Sequence, residues 1–125
     1  MSNVPENLTY TKTHEWVRTE GNVAFVGITD YAQHQLTDVV YVDFPKKGET
    51  KKKGGVLLTI ESVKSAEDVY SPVDGEVMDI NQDLTAKPEL VNQDPYKYWL
   101  VKLSLKPGTK VEGLSPADYK KHIGE

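Results

Sequence analysis

The chain has 125 residues, which predicts one domain spanning 1–125, and its 38% hydrophobic and 27% charged residues are ordinary for a globular protein. It contains no cysteine, which excludes disulfides, thiolate metal sites and CxxC redox motifs, so any sulfur chemistry must come from an attached group. The net charge of -4 argues against nucleic-acid binding, and no apolar run approaches the roughly 20 residues of a membrane helix.

The N-terminal segment, MSNVPENLTYTK (1–12), contains no arginine and one acidic residue. It therefore lacks the pattern of a signal or transit peptide. We expect the chain to stay in the compartment where it is made, which is the cytoplasm, or the mitochondrial matrix for a mature eukaryotic form.

The first half of the chain predicts a hairpin, a short helix and a further strand. Residues 14–28 (HEWVRTEGNVAFVGI) contain two strand-like runs separated by a Gly-Asn turn. Thr29 can cap a helix that ends near Leu36, with Asp30 in its positively polarised first turn. Residues 39–44 (VVYVDF) are rich in β-branched and aromatic residues and precede a proline, which favours a strand that stops there.

The second half of the chain predicts four more strands, over 56–61, 66–70, 76–80 and 98–105. A last helix begins after Ser115, which is a capping residue followed by a proline at the first helical position, and it ends near Ile123. Many short strands at close spacing, with turn residues between them, predict a sandwich or a barrel.

Two segments between the predicted strands have little regular pattern. Residues 46–54 (KKGETKKKG) contain five lysines and one glutamate, which is typical of a solvated loop, with a docking patch as the alternative. Residues 83–97 contain two prolines and form a long connection. Long connections in compact domains are often functional, although packing alone explains this one equally well.

The strands over 56–61 and 66–70 bring one lysine, Lys64, to a turn. With Val63 and Lys64 at the turn centre, the predicted cross-strand pairs are Glu61–Ala66, Ile60–Glu67, Thr59–Asp68, Leu58–Val69 and Leu57–Tyr70. Val63 is β-branched and resists the left-handed conformation of a type I′ turn, whereas a type I turn accepts both central residues and favours serine at its first position. The sequence therefore predicts a rigid turn that projects Lys64 outward.

This geometry suits a site of post-translational attachment, although most lysines at turn tips serve only solubility. A lysine amine is almost fully protonated at neutral pH, and the carboxylates of Glu61, Glu67 and Asp68 favour the cation further. Lys64 is therefore a poor nucleophile by itself, and we predict no catalytic residue in the chain. Its modification requires an enzyme that brings an activated acyl group.

The segment ESVKSAEDVYSPVDGEV (61–77) resembles the lipoylation segment of the glycine cleavage system H proteins. Three further motifs occur in the order and close to the spacing of that family: THEW (13–16), VGITDYAQHQLTDVVYVDFPKKGE (26–49) and KPELVNQDPY (87–96). The resemblance covers essentially the whole chain. It implies a mainly β fold, a barrel-sandwich hybrid of the lipoyl and biotinyl carrier type, with short peripheral helices that include a C-terminal helix.

The resemblance also implies a function. Lys64 would hold lipoic acid in amide linkage, attached by a lipoate ligase or octanoyltransferase. The chain would be a non-catalytic carrier of an aminomethyl group from glycine decarboxylase (P-protein) to aminomethyltransferase (T-protein). Dihydrolipoamide dehydrogenase (L-protein) would reoxidise the arm. We expect a monomer without a metal ion and without nucleic-acid or membrane partners.

The aminomethyl adduct can hydrolyse in transit, so a carrier should fold the loaded arm against its own surface and exclude water. The loaded amine can be a cation, which favours carboxylate and hydroxyl partners. The resemblance implies that this cleft lies near Thr13, Glu15 and Asp68, which are therefore the candidates for holding the amine. The alternative for these residues is ordinary surface hydrogen bonding, with the adjacent Trp16 in the core.

The chain departs from the family at two places. Thr37 stands where the family usually has glycine, and residues 96–99 (YKYW) lack the glycine that usually precedes the tryptophan, in a loop that is also shorter. The first departure lies in a surface turn, and the second could change how the domain meets a partner enzyme. Neither is expected to touch Lys64.

Other residues of the chain suggest different kinds of site. His14 and Glu15 begin like a zinc-binding HExxH motif, but position 18 is Arg18, and His34 and His122 are expected on the surface. The carboxylates near the hairpin tip could form the acid pair of a glycosidase, but nothing indicates a sugar cleft. Two alternatives stay open: an H-like protein that relays lipoyl or octanoyl groups to other complexes, and a non-carrier interaction module.

Overall fold

A computed structural model describes residues 2–125. Within this range the chain forms nine strands and four short helices. The strands are β1 (Thr9–Tyr10), β2 (Glu15–Glu20), β3 (Val23–Ile28), β4 (Val39–Asp43), β5 (Thr50–Lys51), β6 (Val56–Ser62), β7 (Ala66–Tyr70), β8 (Gly75–Ile80) and β9 (Val101–Ser104). The helices are α1 (Asp30–Leu36), α2 (Asp83–Ala86), α3 (Leu90–Gln93) and α4 (Pro116–His122). None of these helices is long and apolar enough to cross a membrane.

The strands form two antiparallel sheets. The larger sheet has the order β1-β2-β3-β9-β8-β5, and the smaller has the order β4-β6-β7. The sheets do not close into a barrel, and apolar side chains that include Val26, Ile60 and Leu103, all fully buried, form the core between them. The predicted mainly β, barrel-sandwich hybrid with peripheral helices and a C-terminal helix is confirmed.

A second, smaller core lies beneath α4. Trp16 and Tyr10 pack there with Tyr119 of α4, and the rings of Tyr10 and Tyr119 are stacked with centroids 4.7 Å apart. Gly27 leaves room for the indole, because a Cβ at this position would lie 2.6 Å from the Trp16 ring. Trp16 Nε1 donates a hydrogen bond to the Pro95 carbonyl at 3.0 Å. Trp16 is thus a core residue, as the alternative interpretation of this segment has it, and its hydrogen bond joins β2 to the long connection.

The predicted elements agree with the structure except where elements are short or irregular. The last strand is predicted over 98–105 but begins only at Val101. Helices α2 and α3 have four residues each and lie in the connection for which the sequence predicts no element. The C-terminal helix begins as predicted, because Ser115 Oγ accepts a hydrogen bond from Asp118 N–H at 3.1 Å.

The two ends of the described chain lie together. The backbone N–H of Ser2 donates a hydrogen bond to the Glu125 carboxylate at 2.6 Å, and the Ser2 hydroxyl donates another at 3.0 Å. Next to them, Asn3 N–H donates to Asp30 at 2.9 Å and the Asn3 carbonyl accepts from the Tyr96 hydroxyl. The N-terminal segment is thus held against α1, the long connection and the C-terminus.

Candidate functional site

The β6–β7 hairpin has the predicted register near its tip. Four of the five predicted pairs are observed: Glu61–Ala66, Ile60–Glu67, Thr59–Asp68 and Leu58–Val69. The fifth predicted pair, Leu57–Tyr70, is wrong, because the register shifts between Val56 and Leu58 and Val56 pairs with Tyr70 instead. The irregularity lies far from the turn and leaves the tip unchanged.

The hydroxyl of Ser62 organises the turn at the tip. Ser62 Oγ accepts hydrogen bonds from the backbone N–H groups of Lys64 at 3.2 Å and Ser65 at 3.0 Å, and Ser62 N–H donates to the Ser65 carbonyl at 2.8 Å. Among the described non-glycine residues, a positive φ occurs only at His14 and Thr37. The turn is therefore not of type I′, as predicted, and a side-chain hydroxyl fixes the backbone that carries the lysine.

Lys64 lies exposed at the tip, and its side chain turns back toward α1. Its Nζ donates a hydrogen bond to the backbone carbonyl of Gln35 at 3.1 Å. Gln35 belongs to the last turn of α1, where carbonyl groups lack helical partners and a cation is favourable. The neighbouring Val63 is 68% exposed. An enzyme that approaches from solvent therefore meets the amine beside an apolar side chain.

A cleft of about 360 Å³ opens beside Lys64. Tyr31 and Gln35 of α1 line one wall, Asp68 of β7 lines another, and Glu15 also belongs to the lining. A larger groove of about 530 Å³ on another part of the surface is lined by lysines but does not include Lys64. A group attached to Lys64 Nζ would therefore have the cleft of about 360 Å³ directly beside it.

Glu15 lines the cleft but is only 1% exposed. Its Oε1 accepts hydrogen bonds from the hydroxyls of Thr11, at 2.6 Å, and Thr13, and its Oε2 accepts one from Tyr70 N–H at 3.2 Å. Burial raises the pKa of the Glu15 carboxyl, and these hydrogen bonds oppose the shift without cancelling it. Glu15 is thus a buried acid whose oxygens are engaged by the protein itself.

Thr13, Glu15 and Asp68 all line this cleft, but they do not form one hydrogen-bonded group. The Thr13 hydroxyl donates to Glu15 Oε1. Asp68 is exposed on the β7 wall, where its Oδ1 accepts a hydrogen bond from the Thr59 hydroxyl at 3.1 Å. Glu67, next to Asp68 on β7, also lines the cleft, so acidic residues of both β2 and β7 contribute to its lining.

His14 also lines the cleft, although the sequence analysis considers it only as part of a metal motif. Its φ of 73° is uncommon for a residue other than glycine. Its Nδ1 lies 2.9 Å from the Tyr119 hydroxyl, and its ring centroid lies 4.8 Å from that of Tyr31 and 5.6 Å from that of His122. Burial lowers the pKa of His14, and His122 lowers it further. The left-handed backbone that turns His14 into the cleft has no clear signal in the sequence.

The other histidines lie on the surface, as predicted. The His34 side chain is 65% exposed and lies 3.5 Å from Asp30, and exposed His122 has its Nε2 2.8 Å from the Lys12 carbonyl. Within residues 2–125, no group of three histidine or acidic side chains is placed to hold a metal ion.

The hairpin, the exposed amine and the adjoining cleft together define a class of protein. A β-sandwich that presents one lysine on a hydrogen-bonded tip, beside a cleft that can receive an attached group, has the architecture of a covalent carrier domain. Comparison with known proteins gives the particular kind of carrier. The chain belongs to the glycine cleavage H-protein family, whose model matches residues 8–125.

Two curated relatives and one solved structure illustrate this similarity. The probable glycine cleavage system H protein of Picrophilus torridus is 68% identical over 125 residues, which cover 100% of each chain. That of Thermoplasma acidophilum is 58% identical over 123 residues, which cover 98% of each chain. The crystal structure of a glycine cleavage system H protein from Mycobacterium marinum has a TM-score of 0.89 at 30% identity, covering 98% of this chain and 100% of that chain.

These similarities confirm the family that the sequence motifs indicate. The chain is a lipoyl carrier protein of the glycine cleavage system, in which it works with partner enzymes. The alternative role, relay of lipoyl or octanoyl groups to other complexes, is not favoured by the names of the similar proteins.

Proposed function

We propose that Lys64 carries lipoic acid in amide linkage through Nζ, and that the chain acts as a single carrier domain over 1–125 that catalyses no step itself. The observation that carries this proposal is the position of Lys64 on the Ser62-stabilised tip, directly beside the cleft. A lipoate ligase or octanoyltransferase meets there an exposed amine on a fixed backbone.

The side chains at the tip fit this attachment. The amine is accessible from solvent, and its contact with the Gln35 carbonyl is one hydrogen bond that an enzyme can replace. When bound, lipoic acid supplies the sulfurs that receive an aminomethyl group from glycine decarboxylase (P-protein) and pass it to aminomethyltransferase (T-protein), before dihydrolipoamide dehydrogenase (L-protein) reoxidises them. The protein contributes the tether, because an attached arm reaches each partner's active site at a high effective concentration.

Thr13, Glu15 and Asp68 are proposed to hold the loaded amine while the carrier moves between enzymes. Glu15 supports this role because a buried carboxyl with a raised pKa gains from a cationic partner. Thr13 can redirect its hydroxyl from Glu15 to the amine. Asp68 supplies the second carboxylate from the β7 wall. Together these groups could replace the water that the amine loses on entering the cleft.

The proposal includes the state and location of the carrier. We propose that it acts as a monomer, since each partner must reach the same hairpin tip. A cytoplasmic location agrees with the prokaryotic origin of the relatives.

The test is expression of the chain with a lipoate ligase and lipoate, followed by intact and peptide mass measurement. We expect one lipoyl addition, confined to the peptide that contains Lys64, and activity with glycine decarboxylase. Lys64→Arg should be unmodified and inactive, whereas Lys87→Arg, a change at another exposed lysine, should behave like the parent. Full glycine cleavage by Lys64→Arg would refute the proposal, and an addition without activity would favour the relay role.

A further inference from the structure

The corner between α1 and β4 has an unusual backbone. Thr37 caps the C-terminus of α1 with φ 63° and ψ -146°, a region that is adopted almost only by glycine. Thr37 is β-branched and exposed, so its own side chain gives no reason for this conformation. Strain of this kind persists only where the surroundings impose it.

The residues on either side of Thr37 hold the lysine hairpin through their backbones. The Gln35 carbonyl accepts a hydrogen bond from Lys64 Nζ at 3.1 Å, and the Asp38 carbonyl accepts one from Val63 N–H at 3.0 Å. Gln35 lies two residues before Thr37 and Asp38 directly after it, so the tip is held from both sides of the strained residue. The Asp38 carbonyl directly follows the strained residue, and the Gln35 carbonyl lies in the last turn of α1, which ends at the corner.

Asn92 of α3 imposes that backbone. Its Nδ2 donates hydrogen bonds to the Thr37 carbonyl at 2.7 Å and to Gln33 Oε1 at 3.0 Å. Its Oδ1 accepts one from Val39 N–H at 2.9 Å. One side chain therefore binds the last turn of α1, the strained residue and the first residue of β4. The adjacent Val91 is fully buried and fixes α3 in the core.

We propose that Asn92 is a positioning residue for the lysine hairpin. It holds the α1–β4 corner in the strained conformation from which the backbone carbonyls of Gln35 and Asp38 orient Lys64 and Val63. These contacts are present in the unmodified chain. Their effect on the arm rests on the proposed lipoylation of Lys64.

Acylation of Lys64 would leave Nζ with one hydrogen-bond donor, and this donor links the corner to the arm. The lysine ammonium has three N–H donors, and the amide formed on acylation keeps one. That remaining N–H can still donate to the Gln35 carbonyl, so the corner can direct the root of the arm along the α1 wall of the cleft. A carrier whose corner is loose should hold its arm in the cleft less often.

The test is hydrogen exchange of single amides in the unmodified protein, followed by NMR. Asn92→Ala should accelerate hydrogen exchange of Val63 N–H about tenfold more than that of Leu105 N–H. A factor of about ten is expected when one hydrogen bond is lost. Leu105 N–H bonds to the Asn22 carbonyl at 2.8 Å, away from the corner, and so reports the stability of the fold. Equal acceleration of both amides, or none, would overturn the inference.

Two further variants separate positioning from general stability. Asn81→Ala is the matched control, since Asn81 donates to the Trp99 carbonyl at 2.8 Å, just outside the ends of the long connection, without a hydrogen bond to the corner. It should change both amides equally. Asn92→Asp keeps the acceptor for Val39 N–H but loses both donors, so it should accelerate Val63 exchange even if Asn92→Ala does not fold.

A rescue experiment tests the strain itself. Glycine adopts the conformation of Thr37 without strain, so adding Thr37→Gly to Asn92→Ala should restore most of the slow Val63 exchange. In the lipoylated protein, the Nζ amide proton of Lys64 should exchange faster in Asn92→Ala than in Asn81→Ala. Absence of rescue, or equal exchange of the Nζ proton in the two variants, would contradict the proposed positioning. Failure of lipoylation would instead count against the proposed function and leave the Val63 measurement valid.

Discussion

The Glu15 carboxylate accepts a hydrogen bond from Tyr70 N–H at 3.2 Å and so connects the two sheets. Glu15 begins β2 of the six-stranded sheet, and Tyr70 ends β7, which is an edge strand of the three-stranded sheet. A buried edge N–H without an acceptor would destabilise the fold. A residue proposed to receive the loaded amine therefore also stabilises the sandwich beneath it.

This dual role predicts different results for two substitutions at Glu15. Glu15→Ala leaves Tyr70 N–H and two hydroxyls without their acceptor, and it should lower the free energy of unfolding by about 1–3 kcal/mol. Glu15→Gln keeps an acceptor oxygen of the same shape and should cost less. Urea denaturation of both variants measures the difference. Equal losses would mean that the hydrogen bond to Tyr70 contributes little to stability.

Loss of the aminomethyl group tests Glu15 as a partner of the arm. Both variants should still be lipoylated, because Glu15 lies in the cleft rather than at the tip. Hydrolysis of the loaded adduct should be fastest in Glu15→Ala and intermediate in Glu15→Gln, which removes the charge but keeps the shape. An unchanged hydrolysis rate in both would remove Glu15 from the amine site.

The raised pKa of Glu15 predicts a pH dependence of stability. The folded state keeps the Glu15 proton to a higher pH than the unfolded state, whose carboxyl titrates near 4.5. The contribution of this residue to the free energy of unfolding is therefore greatest below 4.5 and falls as the pH rises through the folded pKa. Glu15→Gln lacks this loss, so it should gain stability relative to the parent as the pH rises above 4.5. A constant difference across that range would contradict the shift.

His14 predicts a pH dependence of opposite sign. Its pKa lies below the ordinary 6.5 because the ring is buried, and His122 adds to the shift. Below about pH 6.5 the unfolded state binds more protons at His14 than the folded state does. The free energy of unfolding therefore falls as the pH drops toward the pKa that His14 has in the folded protein. His14→Asn, which tolerates a positive φ, should lose less stability between about pH 7 and 5 than the parent. A parental slope in His14→Asn would contradict the prediction.

The strain at Thr37 predicts a stabilising substitution. Thr37→Gly should raise the free energy of unfolding by about 1 kcal/mol, because relief of roughly 1–3 kcal/mol of strain exceeds the added entropy of glycine in the unfolded chain. The midpoint of urea denaturation should rise with an unchanged slope. Thr85→Gly is the control, since Thr85 lies in α2 and should lose stability on the same change. Destabilisation by Thr37→Gly would show that the corner is not strained.

The tip of the hairpin was predictable because residues that are close together in the sequence determine its register and its turn. Alternation places Leu58 and Val69 on the core face, and the polar turn between the strands restricts the register. The irregularity at Val56 was not predictable, since its cause lies in contacts that the local pattern does not contain. Helices α2 and α3 are too short for a periodic signal, and tertiary packing of Leu84 and Val91, both fully buried, stabilises them.

The cleft was predictable only in part. Family resemblance indicated Thr13, Glu15 and Asp68, and all three line one cleft beside Lys64. The hydrogen bond from Tyr70 to Glu15 joins residues 55 positions apart, and the contacts of Asn92 with the corner join residues 53 to 59 positions apart. Such contacts depend on the packing of whole elements, so no local pattern contains them.

The contact between Ser2 and Glu125 makes the backbone nearly a closed ring. A short peptide linker could join the ends, and new ends could then be opened in the exposed lysine-rich segment 46–54. If the chain is opened at 46–48, before β5, such a circular permutant should keep both sheets and the lipoylation hairpin intact. The same closeness of the ends would allow the whole carrier to be inserted into a surface loop of one of its partner enzymes, which would place donor and carrier in a single polypeptide.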